Sequence, residues 1–127
     1  FCLSRGLGDV YKRQELRYLR ENPIINERAT IEYNDNRISK YIAQNGKCAV
    51  TGLELDITNM HCHHKTPWIL TKDDSYANLT IVLPEVHILI HAKNETTINK
   101  YLTMLKLTDS QVEKVNELRE LVGNDKI

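Results

Sequence analysis

The feature that most restricts the fold is a short apolar segment that ends at a proline and leads directly into a helical pattern. Residues 78–83 form a β-branched, strand-sized run, and Pro84 closes it. Because proline is favoured in the first turn of a helix, a helix is predicted over residues 85–92. A polar but extended segment at 60–65 comes before this unit. The order strand, loop, strand, helix predicts a β-hairpin with a helix packed on it.

Helical patterns flank this core on both sides. Helices are predicted over residues 15–20, 26–44 and 96–106. A last helix begins after Thr108, whose Thr-x-x-Gln spacing to Gln111 is a capping box, and Gly123 suits its C-terminal stop. Its apolar stripe consists of Val112, Val115, Leu118, Leu121 and Val122. The predicted fold class is therefore α+β, with N- and C-terminal helices around a small hairpin-helix core.

The chain divides by pattern into four segments. These are a non-native, adapter-like segment at 1–14, a helical linker or DNA-binding extension at 15–46, the hairpin-helix core at 47–93 and the C-terminal helices at 94–127. The first segment has no sustained helical or strand period, so it is excluded from the fold prediction. Within the core, a loop is predicted over residues 68–77.

Length and composition exclude several classes of protein. A chain of 127 residues fits one small domain. It has no run near the ~20 apolar residues of a membrane span, which predicts a soluble protein with no membrane partner. The three cysteines (Cys2, Cys48 and Cys62) are too few for a disulfide framework, which predicts a reducing, cytoplasmic compartment.

The formal net charge of zero hides an uneven distribution. Residues 1–47 carry nine basic and six acidic side chains, whereas residues 48–92 carry two and five. The basic N-terminal helix is therefore the better candidate for contacts with phosphates, and a bound divalent cation would offset the acidic middle. The charged side chains of the last helix are expected to form a solvated face; they include Lys114, Arg119 and Glu120.

All of the histidines fall within one 31-residue window inside the predicted core. They are His61, His63, His64, His87 and His91. His87 and His91 lie one turn apart on the predicted helix, and the hairpin can bring His63 toward them. Three imidazoles could then converge on one divalent ion, and a site with three protein ligands keeps open positions, as catalytic metal sites do. His61 lies outside this pattern and is interpreted as an ordinary surface or core residue.

His64 follows His63 directly on an extended chain, so its side chain is predicted to point to the opposite side, where it could act as a general base. A zinc-finger-like alternative would use Cys48, Cys62, His87 and His91, although the gap between the cysteines exceeds the usual spacing.

Three short motifs carry a resemblance to a known family. The motifs are His63-His64-Lys65-Thr66-Pro67, then Asn78-Leu79 eleven residues after the proline, then His87-x3-His91. Together they resemble the HNH (ββα-metal) endonuclease motif. The flanks, at residues 26–39, 48–52 and 115–124, are similar to the C-terminal part of group II intron-encoded reverse transcriptase/maturase proteins. The resemblance covers residues 15–127.

The resemblance implies a role for each matching residue. His63, His87 and His91 would hold the metal, His64 would deprotonate the attacking water, and Asn78 would tie the loop and orient His64. The implied reaction is a nick in double-stranded DNA that leaves a 3′-hydroxyl to prime reverse transcription. An alternative is a catalytically degenerate HNH fold that binds nucleic acid without cutting it. The expected DNA contacts are Lys65, Trp68, Lys72, Arg28 and Arg37.

The resemblance also implies a cofactor and partners. It favours one Mg²⁺ ion, whereas imidazole ligands alone suit Zn²⁺ or Ni²⁺, and Mn²⁺ is a further possibility. The partners would be target DNA and, in a full-length parent, the intron RNA and the reverse transcriptase portion. The implied location is the nucleoid in a prokaryotic cytoplasm.

The sequence departs from the family pattern at two places. Family members often carry two Cys-x-x-Cys pairs that bind a structural zinc, but here the four positions are Cys48, Thr51, Leu83 and Val86. We therefore expect an apolar contact in place of a structural zinc. The glycine pair usual after the proline is replaced by Thr71-Lys72.

Overall fold

The computed structural model describes residues 13–25 and 29–127. Expectations for residues 1–12 of the adapter-like segment and for Arg28 lie outside these residues. The helices are α1 (Arg13–Glu21), α2 (Ile31–Ala43), α3 (Trp68–Thr71), α4 (Pro84–His91), α5 (Glu95–Leu105) and α6 (Asp109–Leu121). The strands are β1 (His61–His64) and β2 (Leu79–Val82). The prediction of a mixed α and β fold is confirmed. Within the described ranges, no helix combines the length and apolar character needed to cross a membrane.

The two strands form an antiparallel hairpin. His63 pairs with Thr80 and His61 with Val82. At the outer edge of β2, the backbone of Ile81 is hydrogen-bonded by the side chain of Gln44. The Gln44 amide accepts from Ile81 N–H at 3.0 Å and donates to Ile81 O at 2.9 Å. An amide side chain thus replaces a third strand along this edge, which leaves few backbone groups of β2 without a partner.

Helix α4 begins at Pro84, one residue before the predicted start, and carries two different faces. Val86, Leu89 and Ile90 are fully buried in the apolar core and anchor the helix, while His87 and His91 lie on another face. The helix packs on β1, α5 and α6. Burial of this aliphatic face, worth roughly 1.5–3 kcal/mol per side chain, fixes the rotation of α4 and hence the direction in which the two histidines point.

Arg119 corrects one sequence prediction. It was expected on a solvated face, but it is only 3% exposed and its guanidinium donates to Leu89 O at 2.6 Å and Ala92 O at 2.8 Å. These carbonyls belong to the C-terminal end of α4, where the helix leaves acceptors unpaired and where a cation is favoured. A charged side chain on α6 therefore caps the histidine-bearing helix.

The last helix follows its predicted signals closely, with one exception. The Thr108 side chain accepts from Gln111 N–H, and the Gln111 side chain accepts from Thr108 N–H, so the capping box is confirmed. Gly123, at φ 87°, ends the helix in the left-handed conformation. Leu121 was predicted to belong to the buried stripe, but it is 51% exposed, because it lies off the helix face on which Val115, Leu118 and Val122 meet the core.

Helix α2 starts later than the predicted residue 26. Thr30 is its N-cap, and the Thr30 hydroxyl accepts from Tyr33 N–H at 2.9 Å. The helix packs against β2 and against a short 3-10 turn at Tyr76–Asn78. The region predicted as a loop also contains the single-turn helix α3, which ends at Lys72 in a left-handed conformation (φ 50°) that favours glycine.

The positions that carry zinc-binding cysteines in the resembled family lie in an apolar setting. Cys48 and Val86 are buried in the main core cluster, and Leu83 packs against it. The Cys48 sulfur accepts from Thr51 N–H at 3.5 Å. The expected apolar contact is therefore present around these residues.

Candidate metal centre

The candidate site begins with the alternation of side chains along β1. Successive residues of a strand point to opposite faces. His61 and His63 contact histidines of α4, whereas His64 stacks on Tyr33 of α2. Two neighbouring histidines of one strand are therefore placed in two different environments, as the sequence predicted for His63 and His64.

On the α4 face, three imidazoles converge. One ring nitrogen from each of His63, His87 and His91 lies within 4.8 Å of the other two, so these residues could hold a metal ion. Ring centroids are 5.2 Å apart for His63 and His87, and 4.6 Å for His87 and His91. His63 is buried, His87 half-buried and His91 exposed. The cluster thus opens to solvent on one side, which suits a site with exchangeable positions.

The three imidazoles favour the neutral form. Burial, followed by the neighbouring His87 and His91, lowers the pKa of His63 to about 3. Burial, followed by His91 and His61, lowers the pKa of His87 to about 4. Burial also lowers the pKa of His91. A neutral imidazole is the form that donates a lone pair to a metal, so these rings are ready to bind without first losing a proton.

A buried nitrogen supports the fit of a metal. His63 Nε2 is buried and has no hydrogen-bond partner among the residues that the structure describes. Buried polar atoms are nearly always paired, and an orphaned one in a native structure calls for an explanation such as an ion. Three nitrogen donors fit Zn²⁺ or Ni²⁺ better than Mg²⁺, which prefers oxygen ligands.

On the other face of β1, His64 is paired with a carboxylate. His64 Nε2 lies 2.8 Å from Asp74 Oδ1, and the Asp74 side chain is only 5% exposed. The second carboxylate oxygen, Oδ2, accepts from the Thr30 hydroxyl at 3.0 Å. An ionised carboxylate accepts the Nε2 proton of His64 and leaves Nδ1 with its lone pair. That tautomer is the one that a general base at Nδ1 needs.

Helix α2 also shapes this second environment. The Tyr33 ring stacks on His64, with centroids 5.5 Å apart and planes at 11°. Asn36 donates to Asp74 O at 2.9 Å and so fixes the loop that carries the carboxylate. Cys62 lies on this face too, and burial raises the pKa of its thiol to about 11, which makes it a poor thiolate ligand.

Asn78 closes the loop between the strands. Its side chain accepts from Thr66 N–H at 2.9 Å and donates to Asp73 O at 2.8 Å. The residue bonded directly to the His64 ring is Asp74. The predicted tie of the loop is therefore seen in these bonds, while any effect of Asn78 on His64 passes through the position of residues 73–74.

The expected DNA contacts are placed unequally. Arg37 is buried, with 6% of its surface exposed, so its guanidinium is not presented to a partner, contrary to the expectation. Lys65 and Trp68 are half-buried and Lys72 is exposed, all within the segment that follows β1. Among the described residues, the accessible members of the expected set therefore lie in the segment that joins β1 to β2.

The zinc-finger-like ligand set is not brought together. In the described part of the chain, the group of side chains able to share a metal is made of His63, His87 and His91. Cys48 is buried in the core, and Cys62 lies on the face of β1 opposite to His63. The structure therefore favours a three-histidine set over the four-residue alternative.

Two residues of the site were missed by sequence reasoning. Asp74 is one of two adjacent aspartates in a polar loop, and only the tertiary fold distinguishes it from the exposed Asp73. His61 was interpreted as lying outside the motif, but its Nδ1 is 2.9 Å from His87 Nδ1. A period of two from His63 along β1 could have indicated that His61 shares the metal face.

Comparison of the chain with protein-family models, with curated proteins and with solved structures gave no match.

Proposed function

We propose that this chain is a metal-dependent nuclease module of the HNH type, which nicks double-stranded DNA. The observation that carries the proposal is the convergence of His63, His87 and His91 on one face of β1, with the His64–Asp74 pair on the next residue. A hairpin followed by a helix that presents histidines one turn apart is the arrangement expected of a ββα-metal core.

The three histidines would hold the divalent ion. When bound, the ion would stabilise the negative charge that develops on the phosphate and on the leaving 3′-oxygen. The nitrogen donors support Zn²⁺ or Ni²⁺ as tightly bound ions, and Mg²⁺ or Mn²⁺ would depend on water and phosphate oxygens to complete the shell. The exposure of His91 leaves room for such ligands.

His64 is proposed as the general base. With Nε2–H donated to Asp74, Nδ1 is free to take a proton from the attacking water, a contribution typically worth ~10²–10⁴-fold. Tyr33 limits the rotation of the ring by stacking. Because β2 pairs with β1 along one edge, the substrate would approach from the other edge, where side chains from both faces of β1 can be reached.

The segment after β1 is proposed to contact the DNA. Lys65 and Lys72 provide positive charge in this segment, and Trp68, which lies between them in the sequence, offers an aromatic surface. By the family resemblance, the nick would leave a 3′-hydroxyl that primes reverse transcription of intron RNA. The reverse transcriptase portion would belong to a longer parent protein, and the intron RNA would be the partner of that protein. Both would act in the prokaryotic cytoplasm, at the nucleoid.

A nicking assay on supercoiled plasmid tests this proposal. The purified chain is incubated with Mg²⁺, Mn²⁺, Zn²⁺ or Ni²⁺ and with EDTA, and conversion to the open circle is followed over time. We expect nicking that EDTA abolishes and that His64→Ala reduces by about 10²-fold or more while metal binding persists. Sealing of the nick by DNA ligase would identify a 3′-hydroxyl beside a 5′-phosphate.

The assay also separates the alternatives. Nicking that persists in EDTA or is unchanged in His64→Ala would contradict the nuclease assignment. Metal binding together with DNA binding, but without nicking under any metal, would favour a degenerate module that binds nucleic acid without cutting it.

Asp73→Asn serves as the control for effects that any substitution in this protein could have on the assay. Asp73 is an exposed carboxylate whose side chain accepts from Ser75 N–H.

A further inference from the structure

His61 makes a short contact with one of the candidate metal ligands. Its Nδ1 lies 2.9 Å from Nδ1 of His87, and the two rings meet edge to face at 74° with centroids 4.9 Å apart. His63 lies further along the same face of β1, with its centroid 5.2 Å from those of both His87 and His91. The two odd-numbered histidines of β1 thus both contact α4.

The short contact restricts the tautomers of the two rings. Two ring nitrogens at hydrogen-bond distance need one hydrogen between them, and a neutral imidazole carries a single N–H. If His61 donated, the N–H of His87 would be at Nε2, and His87 would have no lone pair left for a metal. If His87 donates from Nδ1, its Nε2 keeps the lone pair.

We propose that His61 is a positioning residue of the metal centre, which accepts a hydrogen bond from His87 Nδ1–H and so holds Nε2 of His87 ready for the ion; this inference rests on the proposed metal site. Metal-binding histidines usually donate their second N–H to a carboxylate, a carbonyl or water. Here the imidazole of His61, on β1, takes that role. His61 itself falls outside the set of side chains within the described ranges that could share the ion.

The strand and helix geometry explains why His61 is suited to this role. Residues two apart on a strand are separated by about 6.6 Å, and residues four apart on a helix by about 6 Å. His61 and His63 are therefore spaced like His87 and His91. The rigid hairpin, with His61 opposite Val82 of β2, fixes the acceptor against the helix.

Metal affinity measured with the whole chain tests the proposal independently of nicking. Zn²⁺ affinity is determined by competition with a chromophoric chelator, and Co²⁺ absorption reports the ligand set. We expect His61→Ala to weaken Zn²⁺ binding by about 10- to 100-fold, with the Co²⁺ bands unchanged in position. Asn59→Ala, an exposed change two residues away, should leave affinity unchanged.

Two further variants keep the test informative if the alanine variant folds poorly. In His61→Asn the side-chain oxygen can occupy the place of Nδ1, so affinity should stay within about threefold of the original, well short of the ~10-fold minimum for loss of an outer-shell partner. In His61→Gln the amide corresponds to Nε2 instead, and affinity should fall. Circular dichroism verifies that each variant is folded.

The outcomes distinguish this inference from the proposed function. Equal Zn²⁺ affinity in the original chain, His61→Ala and His61→Gln would overturn the positioning role and leave the three-histidine site intact. Loss of a nitrogen ligand in the Co²⁺ spectrum of His61→Ala would also overturn it, because His61 would then be a ligand. Failure of the original chain to bind Zn²⁺, Co²⁺ or Ni²⁺ would overturn both proposals together.

Discussion

The two faces of β1 give neighbouring histidines different surroundings. On the face toward α4, His63 is surrounded by other imidazoles and has a buried nitrogen without a partner in the described residues. On the face toward α2, His64 is bonded to the buried carboxylate of Asp74 and stacked on Tyr33. Adjacent residues of the same type are therefore given opposite chemical surroundings.

The difference shows how one short strand can supply two functions. In the described part of the chain, the neighbours that shift the pKa values of His63, His87 and His91 include no carboxylate, and a cluster of neutral rings is suited to a cation. On the other face, the Asp74 carboxylate bonds to the His64 ring and holds it in a single tautomer without a bound ion. The strand period of two sorts the histidines, and the partner helix on each face decides what each ring can do.

The largest difference between the two faces is expected when one histidine is removed from each. His63→Ala should weaken Zn²⁺ binding by more than about 100-fold, because loss of an outer-shell partner alone typically costs ~10–100-fold. His64→Ala should change Zn²⁺ affinity by less than about threefold, since that ring bonds to Asp74 and a change outside both shells carries no such cost. Isothermal titration of both variants measures the two affinities. Equal losses would show that the two faces act as one site.

A smaller effect is expected from the carboxylate that orients His64. Asp74→Asn should lower the nicking rate by about 10- to 100-fold, part of the ~10²–10⁴-fold that general-base catalysis supplies, because an amide no longer selects the Nε2–H tautomer. Zn²⁺ affinity should be unchanged. The measurement is the initial rate of open-circle formation at saturating metal.

Asp73 supplies the matched control for that variant. It precedes Asp74, is exposed, and bonds to the backbone of Ser75. Asp73→Asn should therefore keep the nicking rate. Equal loss in both variants would mean that the loop as a whole, and not the His64–Asp74 bond, determines the rate.

The metal-facing cluster also predicts a pH dependence of stability. In the unfolded chain a histidine titrates near its ordinary value of 6.5, whereas the folded-state pKa of His63 is about 3. Below pH 6.5 the unfolded state therefore binds more protons, and the free energy of unfolding falls as the pH is lowered, by up to ~1.4 kcal/mol per pH unit for each such group. Urea unfolding of the metal-free chain between pH 7 and 5 measures this slope.

The slope should depend on the three-histidine cluster. His63→Gln removes a titrating group from the cluster and should flatten the dependence, while Asn59→Ala, an exposed change to a residue that does not titrate, should retain it. Zn²⁺ at saturating concentration should raise the free energy of unfolding at pH 7, since the ion binds only the folded arrangement of the three rings. A pH slope that is the same in both variants would contradict the origin assigned to it.

Much of the fold could be predicted because its signals are local. Pro84 marks the start of α4, Thr108 and Gln111 cap α6, and alternation along β1 separates His63 from His64. Each of these depends on residues within one or two turns or within one strand. The convergence of His63 with His87 and His91 followed from the same short-range geometry.

The parts that escaped prediction depend on contacts between distant elements. Arg119 looks like a surface cation of α6, yet it is buried because the carbonyls at the end of α4, thirty residues away, need donors. Asp74 and Arg37 are similar cases, since α2 folds over the loop and determines which charge is enclosed. No local pattern distinguishes these side chains from exposed neighbours of the same type.

The smallest effects are expected from two helix caps of the same residue type. Thr30 caps α2 and its hydroxyl also donates to Asp74, whereas Thr108 caps α6 and contacts neither face of β1 through the bonds that define its cap. Thr30→Ala and Thr108→Ala should each lower the free energy of unfolding by about 1 kcal/mol. Only Thr30→Ala should also slow nicking, by a few-fold, because the Asp74 carboxylate loses the hydrogen bond from the Thr30 hydroxyl. Thr30→Ser should restore the rate, and an equal slowing in Thr108→Ala would attribute the effect to stability alone.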